Sequence, residues 1–193
     1  MSIKVSIDAS GGDFGFSVTI NAGINALKSY DDLNVIFVGD QTGIEKELQK
    51  NSSYLKFFDR IDITHATEVI NMSDSPSVAL RHKKDSSMRV AINLVKNGAA
   101  DACVSAGNTG ALMAIARFVL KTIKGVDRPA IMSAVPTLSG ATHVLDLGAN
   151  IDSKPSTLLQ FGIMGSIAVQ NTENIESPSV GLLNVGSEEL KGN

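Results

Sequence analysis

The sequence predicts an α/β protein with a doubly wound, mainly parallel sheet and helices on both faces. Three observations carry that reading. Short β-branched runs alternate with longer helical patterns from one end to the other. Several runs are nearly continuous in apolar residues, as strands covered on both faces are. The loops that leave them are rich in glycine and small polar residues, which suits the ligand crevice at the carboxyl edge of such a sheet. At 193 residues the expected organisation is one domain over 1–193. That domain is expected to be cut short at its C-terminal end. The chain stops at Leu190-Lys-Gly-Asn193, just after an apolar run, where a parallel sheet continues with a crossover helix.

The chain opens at once on a strand pattern, Lys4–Ile7, with no charged head and apolar block to mark a signal peptide. A helical pattern follows at Ser17–Leu27, then a strand at Asn34–Val38 and a helix at Gly43–Gln49. Ile61–Thr64 reads as the next strand. In Ser86–Asn97 the apolar residues Met88, Ala91, Ile92 and Val95 fall three and four apart, one buried stripe, and Gly98 stands where a left-handed cap ends a helix. Ala102–Ser105 is a strand, Thr109–Ile123 a helix, and Ile131–Ala134 and Val144–Leu147 two more strands. Thr157–Gln170 reads as a helix and Val180–Val185 as a final strand.

Composition excludes several classes. Seventeen lysines and arginines against twenty acidic residues give a net charge of −3, which argues against a nucleic-acid binder. A single cysteine, Cys103, excludes an intrachain disulfide framework and a multi-cysteine zinc site. The longest apolar stretch, Ala111–Leu120, is interrupted by Arg117 and is shorter than the roughly 18 residues of a membrane span. The expectation is a soluble, cytoplasmic protein. His65, His82 and His143 show no metal spacing and read as structural. There is no Gly-x-Ser-x-Gly elbow, and Cys103 lies in an apolar strand where thiols are inert.

Five segments hold candidate chemistry. In Asp8-Ala-Ser-Gly-Gly-Asp13, Gly11 and Gly12 let the backbone approach a ligand closely; the alternative is an ordinary strand-to-helix turn. Ser105-Ala-Gly-Asn-Thr-Gly110 joins a strand to an apolar helix, whose first N–H groups make an anion site. It lacks the Lys-Ser/Thr of a Walker loop and the spacing of a dinucleotide fingerprint, and Asn108 or Thr109 serving only as a cap is the alternative. Asp146-Leu-Gly-Ala-Asn-Ile-Asp152 groups two carboxylates and Asn150, either as a polar turn or as a binding loop. Asn184-Val-Gly-Ser-Glu-Glu-Leu-Lys191 ends on a lysine able to reach an anion or to stay solvated. Finally, Arg81-His-Lys-Lys-Asp-Ser-Ser87 sets basic side chains at a helix start, which the helix dipole disfavours unless an anion is held there; the alternative is a solvated basic turn with Asp85 or Ser86 as the N-cap. These residues describe a phosphate or other anion site at a sheet edge, without a covalent nucleophile.

Together the segments resemble one family, the bacterial phosphate acyltransferases of phospholipid synthesis. The resemblance rests on Asp8-x-x-Gly-Gly-Asp13, Met72-Ser-Asp-Ser-Pro-Ser-Val-Ala-Leu-Arg-His-Lys-Lys-Asp-Ser-Ser-Met88 and Val104-Ser-Ala-Gly-Asn-Thr-Gly-Ala-Leu-Met113. Arg128-Pro-Ala130, Leu145-Asp-Leu-Gly-Ala-Asn-Ile-Asp152 and Leu182-Leu-Asn-Val-Gly-Ser-Glu-Glu-Leu-Lys-Gly192 follow in the same order, so it covers essentially the whole chain. It implies a fold similar to phosphotransacetylases and isocitrate dehydrogenase-like proteins. It implies transfer of a fatty acyl group from acyl carrier protein to inorganic phosphate, giving acyl phosphate for a downstream glycerol-3-phosphate acyltransferase. It further implies a homodimer, peripheral contact with the inner face of the membrane, and no metal or organic cofactor.

That reaction needs no protein nucleophile, because the attacking oxygen is already anionic; the enzyme holds the dianion in line and stabilises the developing oxyanion. On this chemistry Asn108, Lys84 and Lys191 are the catalytic candidates, the lysines neutralising phosphate. Gly11, Gly12, Ser86, Ser87, Ser105, Gly107, Thr109, Gly110 and Asn150 are candidates for phosphate or substrate binding. Asp8 and Asp13 brace the glycine loop, and Asp146, with Asn150, orients the site or a partner subunit. The chain departs from the family with Ser10 in place of Met and Phe16 in place of Pro, and family members continue past Asn193. Two other readings stand beside this one: a phosphotransacetylase-like enzyme using acyl-coenzyme A, and a non-catalytic truncated paralogue acting as a binding module. A basic surface around Arg81–Lys84 favours the acidic carrier protein over coenzyme A.

Overall fold

The computed structural model describes residues 2–138, 140–150, 152–184 and 186. The chain divides into two compact units, Met1–Lys121 and Thr122–Asn193.

The first unit holds a four-stranded sheet in the order β3-β2-β1-β4. Its strands are β1 (Ile3–Asp8), β2 (Leu33–Gly39), β3 (Ile61–His65) and β4 (Ala102–Val104), and every neighbouring pair is parallel. Four helices connect them, α1 (Phe16–Ser29), α2 (Gln41–Lys50), α3 (Pro76–His82) and α4 (Ser87–Lys96), and α5 (Thr109–Leu120) follows β4. The double winding shows in β2. Val35 and Phe37 pack with Ile20, Ile24 and Leu27 of α1 and Ile44 and Leu48 of α2. Ile36 and Val38 point to the other face, with Ala91 and Leu94 of α4. Alternation along a strand thus feeds two cores, which is why β2 reads as a continuous apolar run. Gly23 permits the close approach of α1, since a Cβ there would sit 2.5 Å from the Phe37 ring. On the opposite face the buried Ser6 hydroxyl donates to the Ala91 carbonyl at 2.9 Å, tying β1 to α4.

Local chemistry sets the helix starts. Asp40 caps α2 by accepting from Gly43 N–H at 2.8 Å, Ser86 caps α4, and Asn108 caps α5. Two elements escape the periodicity reading: a 3₁₀ segment at Tyr54–Arg60, and α3. The α3 signal was the pair Ser75-Pro76, a cap followed by proline at the first helical position. α3, α4 and α5 share a further core of Ala79, Met88, Ile92, Ala111, Ile115 and Val119.

The second unit contains β5 (Met132–Thr137), β6 (Gly140–Leu145) and α6 (Pro155–Glu173). Here the strands expected at Ile131–Ala134 and Val144–Leu147 form an antiparallel hairpin in a sheet of their own. Nine residues separate those two runs, fewer than the dozen a parallel crossover requires. The strand expected at Val180–Val185 does not form over residues 180–184, and Val185 lies outside the described residues. Val180, Leu182 and Leu183 are exposed, and a strand exists only by pairing with a neighbour. Among the described residues no helix is long and apolar enough to cross a membrane.

Candidate active site

The carboxyl ends of β1 and β4 are adjacent, because β1 pairs with β4 in register from Val5–Ala102 to Ile7–Val104. Two loops therefore leave the sheet side by side. Asp8, the last residue of β1, is 1% exposed. Its Oδ1 accepts from the Ser87 hydroxyl at 2.5 Å and its Oδ2 from the Ser105 hydroxyl at 2.7 Å. The Ser105 oxygen in turn accepts from Gly107 N–H at 3.1 Å. One buried carboxyl group thereby ties the β1 loop to the start of α4 and to the loop after β4.

The glycines follow from that closeness. A Cβ on Gly11 would lie 2.5 Å from Asp8 Oδ2 and 3.2 Å from the Gly107 nitrogen. Gly12 has φ +86°, and a Cβ there would stand 3.1 Å from the Ala106 carbonyl oxygen. Ser10 and Phe16 face the neighbouring loop. The Phe16 ring fills the space that Gly39 and Gly43 leave open.

Asn108 lies at the centre of the second loop. Its Oδ1 accepts from Ala111 N–H at 3.0 Å, capping α5. Its Nδ2 donates to the carbonyls of Asn71, Met72 and Asp74 at 3.3, 3.0 and 2.9 Å. The side-chain amide is thus occupied in fastening the 71–74 segment. The same segment is held from below by Lys83, whose ammonium reaches Asp74 Oδ2 and the Val69 carbonyl, both at 2.6 Å. The bond from Lys83 lowers the Asp74 pKa. Thr109 and Gly110 open α5, exposed, with N–H groups in positions that have no partner within the helix.

Other candidates fall into different surroundings. Ser86 is buried, donates to the Lys83 carbonyl at 2.9 Å and caps α4. Ser87 is buried with its hydroxyl on Asp8. Lys84 is exposed and makes no ion pair among the described residues, whereas its neighbour Lys83 is the engaged lysine. Asp13 is exposed at the end of its loop. Asp85 accepts from the Thr67 hydroxyl at 2.6 Å, which lowers its pKa. Burial pushes the Cys103 thiol up to about 11, so it is no nucleophile at neutral pH. Lys191 lies outside the described residues. Among the described residues no cluster of three His, Cys, Asp or Glu side chains could hold a metal ion.

Periodicity and spacing missed the Asp8–Ser87 contact, which joins residues 79 apart, and the Asn108 contacts to residues 71–74. The legible signal for the first was a lone aspartate closing an apolar strand.

In the second unit Asp146 and Asn150 form a closed knot. Asp146 Oδ1 accepts from Ile131 N–H at 2.8 Å, and Oδ2 accepts from Asn150 N–H at 2.7 Å and Asn150 Nδ2 at 3.0 Å. Asn150 Nδ2 also donates to the Pro129 carbonyl at 3.0 Å. Burial raises the Asp146 pKa, but the hydrogen bonds from Ile131, Asn150 and Ala149 outweigh it and the net shift is downward. Beside this knot an open cleft of about 740 Å³ is lined by Arg128, Asn150, Asp152, Lys154 and Thr157 among others.

A family profile described as "Fatty acid synthesis protein" matches residues 3–193. The chain is 65% identical over 192 residues to a phosphate acyltransferase of Ruthia magnifica subsp. Calyptogena magnifica, covering 100% of this chain and 56% of that protein. A phosphate acyltransferase of Chromobacterium violaceum is 56% identical over 193 residues, with 100% and 55% covered. One of Legionella pneumophila (strain Paris) is 55% identical over 192 residues, with 100% and 56% covered. The chain therefore spans about half the length of the curated relatives it matches.

Proposed function

Since the chain belongs to the fatty acid synthesis protein family, we propose that the whole protein transfers a fatty acyl group from acyl carrier protein to inorganic phosphate. In this reaction a phosphate oxygen attacks the thioester carbonyl. The new C–O bond forms, the C–S bond breaks, and the carrier thiolate leaves to take up a proton. The products are acyl phosphate, for a downstream glycerol-3-phosphate acyltransferase, and free carrier protein.

The observation that carries this reading is the pair of glycine loops bound back to back by Asp8, one of them leading into α5. Such a site offers backbone N–H donors and no activated nucleophile, which is what an anionic attacking group needs. The N–H groups of Thr109 and Gly110 serve as donors to phosphate or to the oxyanion, whereas the Gly107 N–H is spent on the Ser105 hydroxyl oxygen. Lys84 neutralises phosphate charge, and the resemblance gives Lys191 the same role. Asn108 acts by holding the 71–74 segment against the loop, and Ser87 and Ser105 by fixing Asp8. Asp146 and Asn150 shape the Pro129–Asn150 turns, for the site or for a partner subunit in a homodimer. The protein works in the cytoplasm and touches the inner membrane face peripherally.

The test is release of free carrier protein from palmitoyl-acyl carrier protein, with and without phosphate, using the protein as the cell makes it. Phosphate-dependent release with formation of acyl phosphate is expected. Release that ignores phosphate, or turnover of palmitoyl-coenzyme A alone, would overturn the proposal.

A further inference from the structure

The charge on this chain is unevenly placed. From Pro76 to Lys121 it carries seven lysines and arginines against two aspartates, a net of +5 within a chain of net −3. That net already counts both aspartates, which are exposed. Asp85 is taken by the N–H and hydroxyl of Thr67 at 2.9 and 2.6 Å, and Asp101 accepts from Lys4 N–H at 2.8 Å. The helices α3, α4 and α5 contain no acidic residue at all.

Packing decides where part of this charge appears. α4 turns Ala91 and Leu94 to the sheet and Met88 and Ile92 to α5. Arg89, Asn93 and Lys96, spaced four and three apart, remain on the outer ridge. On α5, Phe118 is 53% exposed and Leu120 43%. The Arg89 guanidinium stands 5.3 Å from the Phe118 ring centroid and the Lys121 ammonium 4.9 Å from it. An exposed aromatic ring is thus bracketed by two cations, with Lys96 further along the same ridge. Such cation–ring contacts hold long basic side chains in place and reduce the entropy lost when they meet an anion.

We propose that the α4–α5 face, centred on Arg89, Phe118 and Lys121, docks an acidic protein surface. Resting on the function proposed above, that surface belongs to the thioester-bearing carrier protein. Charge complementarity names the occupant: a patch of cations with a small apolar centre fits an acidic helix with an apolar residue between its carboxylates. A bilayer suits it less, because the exposed apolar groups on this face are few and the largest is flanked by charge. The placement also serves delivery. α5 runs from the Thr109–Gly110 loop to Phe118, nine residues or about 14 Å along the axis, a distance a flexible thioester arm can span.

The experiment compares the wild-type protein with the charge-reversal variant Arg89→Glu/Lys121→Glu, neither residue being assigned to the phosphate loops. Binding of holo acyl carrier protein is measured at low and physiological salt, beside turnover of a neutral acyl-N-acetylcysteamine donor. The variant is expected to bind carrier at least tenfold more weakly and to lose the salt dependence, with turnover of the small donor within twofold of wild type. Arg89→Lys/Lys121→Arg is expected to retain binding, and the single exposed change Lys96→Glu to weaken it severalfold if the double variant fails to fold. Unchanged carrier affinity in the charge-reversed proteins overturns the proposal. So does a selective loss of sedimentation with phosphatidylglycerol vesicles while carrier binding persists. Because binding needs no acyl group, it reads the surface even if phosphate-dependent transfer is absent.

Discussion

The Ser105 hydroxyl donates to Asp8 Oδ2 at 2.7 Å, joining the end of β1 to the loop after β4 across 97 residues of sequence. With Ser87 on the other oxygen, Asp8 receives two neutral donors in a site that is almost closed to water. A buried acceptor that loses its donors costs its full desolvation, so this junction determines the shape of both glycine loops.

Replacing Asp8 by Asn substitutes a donor for one acceptor and sets an amide against a hydroxyl. The expected result is a loss of about 1–3 kcal/mol in urea unfolding and at least a tenfold fall in phosphate-dependent turnover. Full turnover in Asp8→Asn would show that the loops do not depend on this carboxyl group.

Gly11→Ala and Gly165→Ala are expected to act in opposite directions. At Gly11 the new Cβ meets Asp8 Oδ2 at 2.5 Å, so the loop must shift and both stability and turnover fall. At Gly165, inside α6, nothing lies within 4 Å, and alanine is expected to stabilise the helix by roughly 0.5–1 kcal/mol. Thermal melts of the two variants separate the effects.

Asn108→Ala removes a helix cap and three bonds to the 71–74 segment. Loss of the cap alone costs about 1 kcal/mol. Asn108→Asp keeps a capping oxygen but turns a carboxylate toward three carbonyls. Both variants are expected to speed amide hydrogen exchange across residues 71–74. Normal exchange there in Asn108→Asp would mean that the carbonyl contacts contribute little.

Acid acts on the Asp146 knot with a definite sign. Its folded pKa is depressed below the ordinary 3.8 because hydrogen bonds from Ile131, Asn150 and Ala149 outweigh burial. The stability this contributes is complete above 3.8 and is lost as pH falls through the lower folded value. Amide protection at Ile131 and Asn150 is expected to fall in that window in the wild type. In Asp146→Asn it is expected to be weaker at neutral pH and insensitive to acidification.

With its thiol pushed up to about 11, Cys103 is expected to react with iodoacetamide at pH 8 at least 100-fold more slowly in the folded protein than in urea. Rapid alkylation of the native protein would place the thiol in contact with solvent.

Much of the first unit was legible in the chain because it depends on local patterns. The apolar run of β2, the Met88–Ile92 stripe and the Asp40, Ser86 and Asn108 caps are each readable within a dozen residues. The short helix α3 was hidden because seven residues carry little periodicity, although Ser75-Pro76 announced it. The antiparallel pairing of β5 and β6 was not legible, since an apolar run does not state the direction of its neighbour.

The sequence by itself determined the alternation of strands and helices, the glycine loops at strand ends and the family resemblance. Each of these follows from residue types taken in order. Only the tertiary structure decided that Lys83 rather than Lys84 is ion-paired to Asp74 and that the Asn108 amide fastens residues 71–74. It alone brought Ser87 and Ser105 to one buried carboxyl group. Such pairings depend on which strand ends become neighbours in the sheet, and hydrogen bonds between residues 34 to 97 apart leave no periodic trace in the chain.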